Sequence, residues 1–286
     1  MVDTNRPPDA APIRVPNRAP QHRNDEYEEE GFDLLVQMQR DHFWYTGRHR
    51  LILEALRREI AKSVGVGAKL RAIDLGGGCG GWIEYLHAHE NSMFQELALG
   101  DSSLRALALA EPVVGSYATR YQIDLLDLPW DEEWDVIFLL DVLEHIPAQE
   151  TALSQIKRSL RPGGLLVVTT PALACFWTYN DELAHHQRRY CRADFAGLAA
   201  TLDLTLLRTN YFMFFLAPFL WLHRVLVKPP VAASSEQLRA HVVRTHRIPS
   251  PLLNGILNRI LTLEALLVNR IRLPFGTSIL AIYKKK

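Results

Sequence analysis

Leu70-Arg-Ala-Ile-Asp74-Leu75, running directly into Gly76-Gly-Gly78-Cys-Gly80-Gly81, decides the fold. A short apolar run closes on an acid, and a glycine-rich turn follows with helical spacing from about Trp82 to His89. Glu96 to Leu99 is apolar again and ends at Asp101. Strand, tight turn, helix and strand form a βαβ unit, which requires a parallel sheet. Glycines let a ligand approach the backbone where the helix begins, so this turn is the first place to look for a nucleotide-like ligand.

Outward from that unit the same rhythm continues. A helix is expected around Leu104 to Ala110, a short strand near Tyr121 to Ile123, and a strand over the apolar run Val136 to Leu140. Such a run is the signature of a strand buried on both faces. A helix near Glu150 to Leu160 is stopped by Arg161-Pro-Gly-Gly164, and Leu165 to Thr170 supplies the fifth strand. Leu204 to Leu207 reads as a sixth, and Ser278 to Tyr283 as a last strand entering antiparallel. The expected fold is α/β: a Rossmann-like, seven-stranded, mostly parallel sheet with helices on both faces.

The glycine loop fits two patterns. Asp74, Gly76, Gly78 and Gly80 satisfy D-x-G-x-G-x-G, while Gly76, Gly78 and Gly81 satisfy the dinucleotide pattern G-x-G-x-x-G. Asp74 separates them, because an acid at the strand end accepts from an amino group but repels a pyrophosphate. Asp101 stands about twenty-five residues beyond Gly76, where a carboxylate accepts both ribose hydroxyls; the alternative is that it caps the helix from Leu104. An NAD(P)-dependent oxidoreductase is the competing enzyme class, and the absence of a Tyr-x-x-x-Lys dyad from this sequence, with the presence of Asp74, counts against it. A non-catalytic, cofactor-binding regulator is the competing non-enzyme.

Six motifs taken together narrow the choice. Asp74-Leu-Gly-Gly-Gly-Cys-Gly80, Leu99-Gly-Asp101-Ser102, Asp124-Leu125-Leu-Asp-Leu-Pro-Trp130, Trp134-Asp-Val-Ile137, Asp141-Val-Leu-Glu-His145 and Leu160-Arg-Pro-Gly-Gly164 resemble, in order and spacing, class I methyltransferases of the ubiquinone-biosynthesis type. The resemblance implies S-adenosyl-L-methionine as cofactor. It places the adenine beside Asp124 and Leu125, and adds Ser102 and Asp141 to the cofactor-binding set. Asp41-His-Phe-Trp44-Tyr45-x-x-Arg48, His186-Gln-Arg-Arg-Tyr190 and Pro274-Phe-Gly-Thr-Ser278 resemble a bacterial subgroup often linked to saccharide or lipid modification.

In an open α/β sheet the ligand lies outside the carboxyl ends of the strands, so Asp141, Glu144 and His145 after the fourth strand should face it. Methyl transfer from a sulfonium is an in-line displacement with an activated donor, and alignment is the protein's main task. For a hydroxyl acceptor, His145 or His186 is the candidate general base. Arg188, Arg189 and Tyr190 are expected to form an anion-binding edge for the acceptor, since guanidinium forks suit carboxylate or phosphate. No metal is expected, because no H-x-x-x-H or clustered carboxylate pair accompanies the histidines.

Thirty-two basic residues balance thirty-two acidic ones in 286, so net charge gives no general pull toward nucleic acid or an anionic bilayer. Cys79, Cys175 and Cys191 are too far apart for a C-x-x-C site, and a reducing cytoplasm fits them. Residues 1–26 read as a disordered, proline-bearing tail with no apolar signal core, 27–66 as a helical cap, 67–212 with 276–286 as the catalytic core, and 213–275 as a helical insertion. Within the insertion Leu253, Ile256, Ile260, Leu263, Leu267 and Ile271 recur at helical spacing. Tyr211 to Leu222 is apolar but interrupted by Pro218, and a span needs roughly 20 residues, so any membrane contact is expected to be peripheral. The expected partner is a small-molecule, lipid or saccharide acceptor.

Overall fold

A computed structural model describes residues 11–16, 18–23, 27, 29, 31–63, 69–227, 247–268 and 270–286. Of the segments expected above, residues 1–10 of the tail and 228–246 of the insertion lie outside the described residues. Two helices, α1 (Gly31–Met38) and α2 (Phe43–Ser63), precede β1 (Leu70–Leu75). There follow α3 (Gly81–Glu90), β2 (Phe94–Asp101), α4 (Leu104–Leu109), α5 (Glu111–Val114), β3 (Ala118–Gln122) and β4 (Trp134–Leu140). Then come α6 (Gln149–Ser159), β5 (Leu160–Pro171), α7 (Tyr179–Leu183), α8 (Arg192–Thr201) and β6 (Leu204–Phe212). The insertion contributes α9 (Ala217–Leu226) and α10 (Pro251–Val268) before β7 (Ser278–Lys285).

The seven strands lie in the order β3-β2-β1-β4-β5-β7-β6. The five from β3 to β5 are parallel, and β7 runs antiparallel between β5 and β6. Strand order reverses between β1 and β4, which opens a crevice beyond their carboxyl ends. Alternation along β4 builds a core on each face. Val136, Phe138 and Leu140 enter one cluster with Leu51, Ile52 and Leu56 of α2 and Trp82 of α3. Ile137 and Leu139 enter the other with Leu153 and Ile156 of α6 and Phe195 of α8. A period of two on a strand covered on both faces explains why the sequence there is continuously apolar.

Two departures from the sequence reading matter for the site. Residues 11–23 belong to the segment expected to be a disordered tail, yet those described are placed. The Arg14 N–H donates to Arg120 O (2.8 Å) and the Gln122 N–H to Arg14 O (2.8 Å), so Arg14 sits beside edge strand β3. The buried Arg120 guanidinium holds the same segment by donating to Ala11 O (2.8 Å) and to Leu107 O (2.8 Å). Backbone pairing of an edge strand and one buried arginine outweigh the segment's polar composition.

The second departure concerns α10: the residues whose helical spacing marked the insertion are mostly not the ones that face the core. The inward residues are Leu261, Ala265 and Val268, while Leu253, Ile256, Leu263, Leu267 and Ile271 are exposed and Ile260 is half-buried. The inner face packs on α2. Gly47 permits this, since a Cβ there would lie 2.4 Å from Leu261 Cδ1.

Candidate active site

A cavity of about 970 Å³ occupies the crevice. Its floor is the glycine loop with Asp74, Asp101 and Asp141; α1 and α2 supply Phe32, Tyr45 and Arg48; the stretch after β5 supplies Asp181 and His186. Gly76, Gly78 and Gly80 have φ of 69°, 55° and 82°, a region that side chains rarely adopt. The turn is fastened by the Gly76 N–H donating to Gly100 O (2.7 Å) and the Gly78 N–H donating to Asp101 Oδ2 (3.0 Å).

Asp101 closes β2 as expected, but it does not cap the next helix. Ser103 does, with Oγ accepting from the Ala106 N–H (3.2 Å), while Asp101 Oδ1 accepts from the Ser103 N–H (2.9 Å). A carboxylate has about four acceptor sites, so both oxygens keep capacity toward the cavity. Asp74 is buried and its Oδ1 has no hydrogen-bond partner. Burial pushes its carboxyl up to about 8, Arg48 opposes this, and Asp101 and Asp141 reinforce it. An orphaned, buried acid beside an open glycine loop fits a ligand that brings its own cationic amino group.

Ser102, Asp124 and Leu125 line the far end of the cavity. Two residues of the N-terminal segment, absent from the sequence-derived site, meet them there. His22 Nδ1 lies 2.8 Å from Ser102 Oγ, and the Arg23 guanidinium donates to Asp124 Oδ2 at 2.7 Å. The carboxylate expected to receive the adenine amine is thus already part of an ion pair, and its Oδ1 accepts from the Leu126 N–H (2.9 Å).

The opposite end is built from β4, β5 and α7. Asp141 follows β4 with a positive φ of 57°, a strained setting for a residue with a Cβ, and its carboxylate pairs with Arg48. The Arg48 guanidinium also lies over Trp44 (4.7 Å) and Tyr45 (5.4 Å). The aromatic and arginine segment of the sequence therefore positions a buried cation for Asp141, a role that no spacing rule announces. Glu144 is fully buried with both carboxyl oxygens lacking hydrogen-bond partners, and burial together with Asp141 pushes its carboxyl well above the usual range.

His145 lies in the short turn Leu143–His145, its ring 4.8 Å from that of His186. His186 Nδ1 is 2.9 Å from Asp181 Oδ1. Asp181, which the sequence reading missed, is buried; burial raises its carboxyl, but hydrogen bonds from His186 and Arg189 outweigh that and hold it at about 2. A capping box secures it, for the Thr178 N–H donates to Asp181 Oδ2 (2.8 Å) at the start of α7. Thr178-x-x-Asp181 is a readable capping signature, and that was the available signal.

The expected anion-binding edge is not formed. Arg189 is buried and spends its donors on Asp181 (2.7 and 3.0 Å) and on Ala172 O (3.1 Å). Arg188 is exposed, bonded to Asp194 (2.5 Å) and stacked on Tyr190 (4.8 Å). Tyr190 is buried, its hydroxyl donating to Leu143 O (3.4 Å). Internal carboxylates reached these donors first. Conversely, Glu144, His145 and His186 each offer a ligand atom within 4.8 Å of the others, a spacing able to hold a metal ion that the sequence reading did not foresee.

The model of a family described as a methyltransferase domain matches residues 36–208. A curated relative, the sterol 24-C-methyltransferase ERG6B of Gibberella zeae, is 28% identical over 137 residues, 46% of this chain and 34% of that protein. The chain thus spans about a third of that relative. Among solved structures, the N-methyltransferase NodS of Bradyrhizobium japonicum, in complex with S-adenosyl-L-homocysteine, matches with a TM-score of 0.53 and 15% identity, over 91% of this chain and 98% of that one. The cyclase SpnF matches with a TM-score of 0.55 and 16% identity, over 96% and 98%. Identities this low show the fold alone. With residues 36–208 of 286 matched by that domain, the chain belongs to the methyltransferase-domain family, and its fold is the one seen in the solved methyltransferases.

Proposed function

We propose that this enzyme methylates a hydroxyl of a lipid-, saccharide- or quinone-type acceptor, with His186 as the general base. The observation that carries this reading is the Asp181–His186 pair at the acceptor end of the cavity. S-adenosylmethionine supplies an electrophilic methyl on a sulfonium, which the acceptor oxygen attacks in line as the carbon–sulfur bond breaks toward sulfur. Asp181, held ionised, only accepts, so His186 carries its proton on Nδ1 and presents Nε2 as the acceptor for the hydroxyl proton. Asp181 is a positioning residue fixed by Arg189. Glu144, whose carboxyl burial and Asp141 push well above the usual range, is in its protonated form a donor able to hold the acceptor oxygen in line. The relative named a sterol 24-C-methyltransferase acts, by its name, on a sterol, at carbon; the sterol is in keeping with a lipid-type acceptor, while the choice of oxygen here rests on the Asp181–His186 pair.

The test uses radiolabelled methyl donor with glycolipid, free-sugar and hydroxyquinone acceptors. His186→Gln is expected to lower turnover by about 100- to 10,000-fold while S-adenosylhomocysteine affinity stays unchanged. Full turnover in that variant, or label found on carbon, would overturn the reading. A second reading follows from the grouping of Glu144, His145 and His186, namely a divalent cation that binds the acceptor oxygen. Loss of activity on chelation, restored by added metal, would favour it.

A further inference from the structure

Two helices of the insertion present apolar side chains to solvent in numbers a soluble surface does not need. On α10 the outward stripe runs Leu252, Ile256, Arg259, Leu263 and Leu266, successive members three or four residues apart and therefore on one face, and exposed Arg270 follows just beyond the helix. Leu252 is 76% exposed and Leu263 61%. On α9, Phe219 is 73% exposed and Leu226 71%, with Trp221 and Leu222 also open. Contiguous apolar surface of this kind marks an interaction site.

The charges beside this surface select the occupant. Arg247, Arg259, Arg270 and Arg272 are exposed, whereas Glu264, the one acid of α10, is buried and accepts from the Phe214 and Phe215 N–H groups (both 3.1 Å). Among the described residues of α9 and α10 no acid is exposed; apolar and cationic side chains of this kind suit an anionic bilayer, whereas a two-fold pairing of identical copies would set arginine against arginine.

α10 is also long and apolar enough to cross a membrane by composition. Its inner face, however, is bonded to the catalytic unit. Asn254 Oδ1 accepts from the Phe43 N–H (2.9 Å), its amide donates to Asp41 O (2.7 Å), and Arg50 reaches Asn258 and Thr262. The helix therefore lies on the surface. Leu220 of α9 and Leu257 of α10 line the cavity, so its rim is made of the same two helices.

We propose that the outer faces of α9 and α10 dock the enzyme on an anionic lipid surface, the arginines meeting headgroup phosphates and the leucines and aromatics entering the acyl boundary. The inference deepens the lipid-type reading of the acceptor and rests on it only for the purpose of docking. The experiment is flotation of the full chain with vesicles of phosphatidylcholine alone and of equimolar phosphatidylcholine and phosphatidylglycerol. Wild type is expected to float with the anionic vesicles, and less as salt is raised. Arg259→Gln with Arg270→Gln should lower that partition by roughly thirtyfold, about fivefold for each arginine removed. Leu263→Ser, Leu266→Ser and Leu267→Ser together should abolish it, with S-adenosylhomocysteine binding retained as the check on folding. Absence of flotation in wild type, flotation unaltered by both variants, or a dimer in light scattering that the serine variant dissociates would overturn the proposal. None of these readouts requires turnover, so docking and hydroxyl methylation fail separately.

Discussion

Asp74 on the floor of the cavity and Asp181 toward one end of it are both buried, and they behave as opposites. Asp74 is driven up to about 8 by burial, with one oxygen unpartnered. Asp181 is drawn down to about 2 because His186 and Arg189 donate to it. The cause is pairing rather than depth. An acid satisfied inside the protein fixes other side chains, and an acid left unsatisfied is a place kept for a ligand. Asp74 is thus electrostatically incomplete by itself, whereas Asp181 and the side chains that it holds are pre-assembled.

The largest effect that sharpens this contrast is on folding. Asp181→Ala leaves Arg189 buried without its carboxylate and is expected to cost about 3–5 kcal/mol in urea unfolding. Asp74→Asn should leave stability unchanged or raised at neutral pH. Equal losses from the two would erase the distinction.

Next in size, Asp101→Ala should weaken S-adenosylhomocysteine binding by about 10- to 100-fold in calorimetry, as expected for the loss of charge-assisted hydrogen bonds. Unchanged affinity in a folded variant would remove Asp101 from the ribose role.

Proton linkage gives a third test, and its sign follows from the two shifts. Asp74 has a folded value above its unfolded one, so the unliganded protein binds the extra proton and loses stability as pH rises from about 4 to about 8. Asp181 has a folded value below its unfolded one, and its contribution is full above about 4 and lost as pH falls toward 2. A cationic amino group binding beside Asp74 should expel that proton. Titration at pH 7 in buffers of different ionisation enthalpy is therefore expected to show release of about one proton, absent in Asp74→Asn. The smallest effect belongs to Arg188→Ala, an exposed pair whose loss should change stability by under about 1 kcal/mol.

What could be read in the sequence follows the same division. Asp74, the glycines and Asp101 lie within one βαβ unit, where function and local backbone conformation make one demand, and a spacing of a few residues records it. Asp141, Glu144 and His145 were also legible as residues beyond a strand end. The pairing of Arg48 with Asp141, or of His22 and Arg23 with Ser102 and Asp124, joins positions dozens of residues apart, and no local pattern stores such a contact. Arg188 and Arg189 misled because an arginine pair looks alike whether it meets a ligand or an internal aspartate. On α10 periodicity revealed the helix but not its facing. Its inward contacts combine Leu261, Ala265 and Val268 with the polar Asn254 and Asn258, while Leu253, Ile256, Leu263 and Leu267 are exposed, so spacing alone did not tell which apolar residues face the core.

The position of β7 between β5 and β6 bears on how the chain assembles. β6 has β7 as its partner in the sheet, so it stays detached until the chain has run from Phe212 through the insertion and returned at Ser278. Closing a loop of that length carries an entropic cost that a random segment would meet in full. By folding against α2, α10 shortens the search and delivers Ser278 close to Pro171, its partner at the end of β5. The insertion is then a splint during folding as well as a roof afterward. Loosening its seat, for example by replacing Gly47 with a larger residue, should slow the final step of refolding more than it alters the finished sheet.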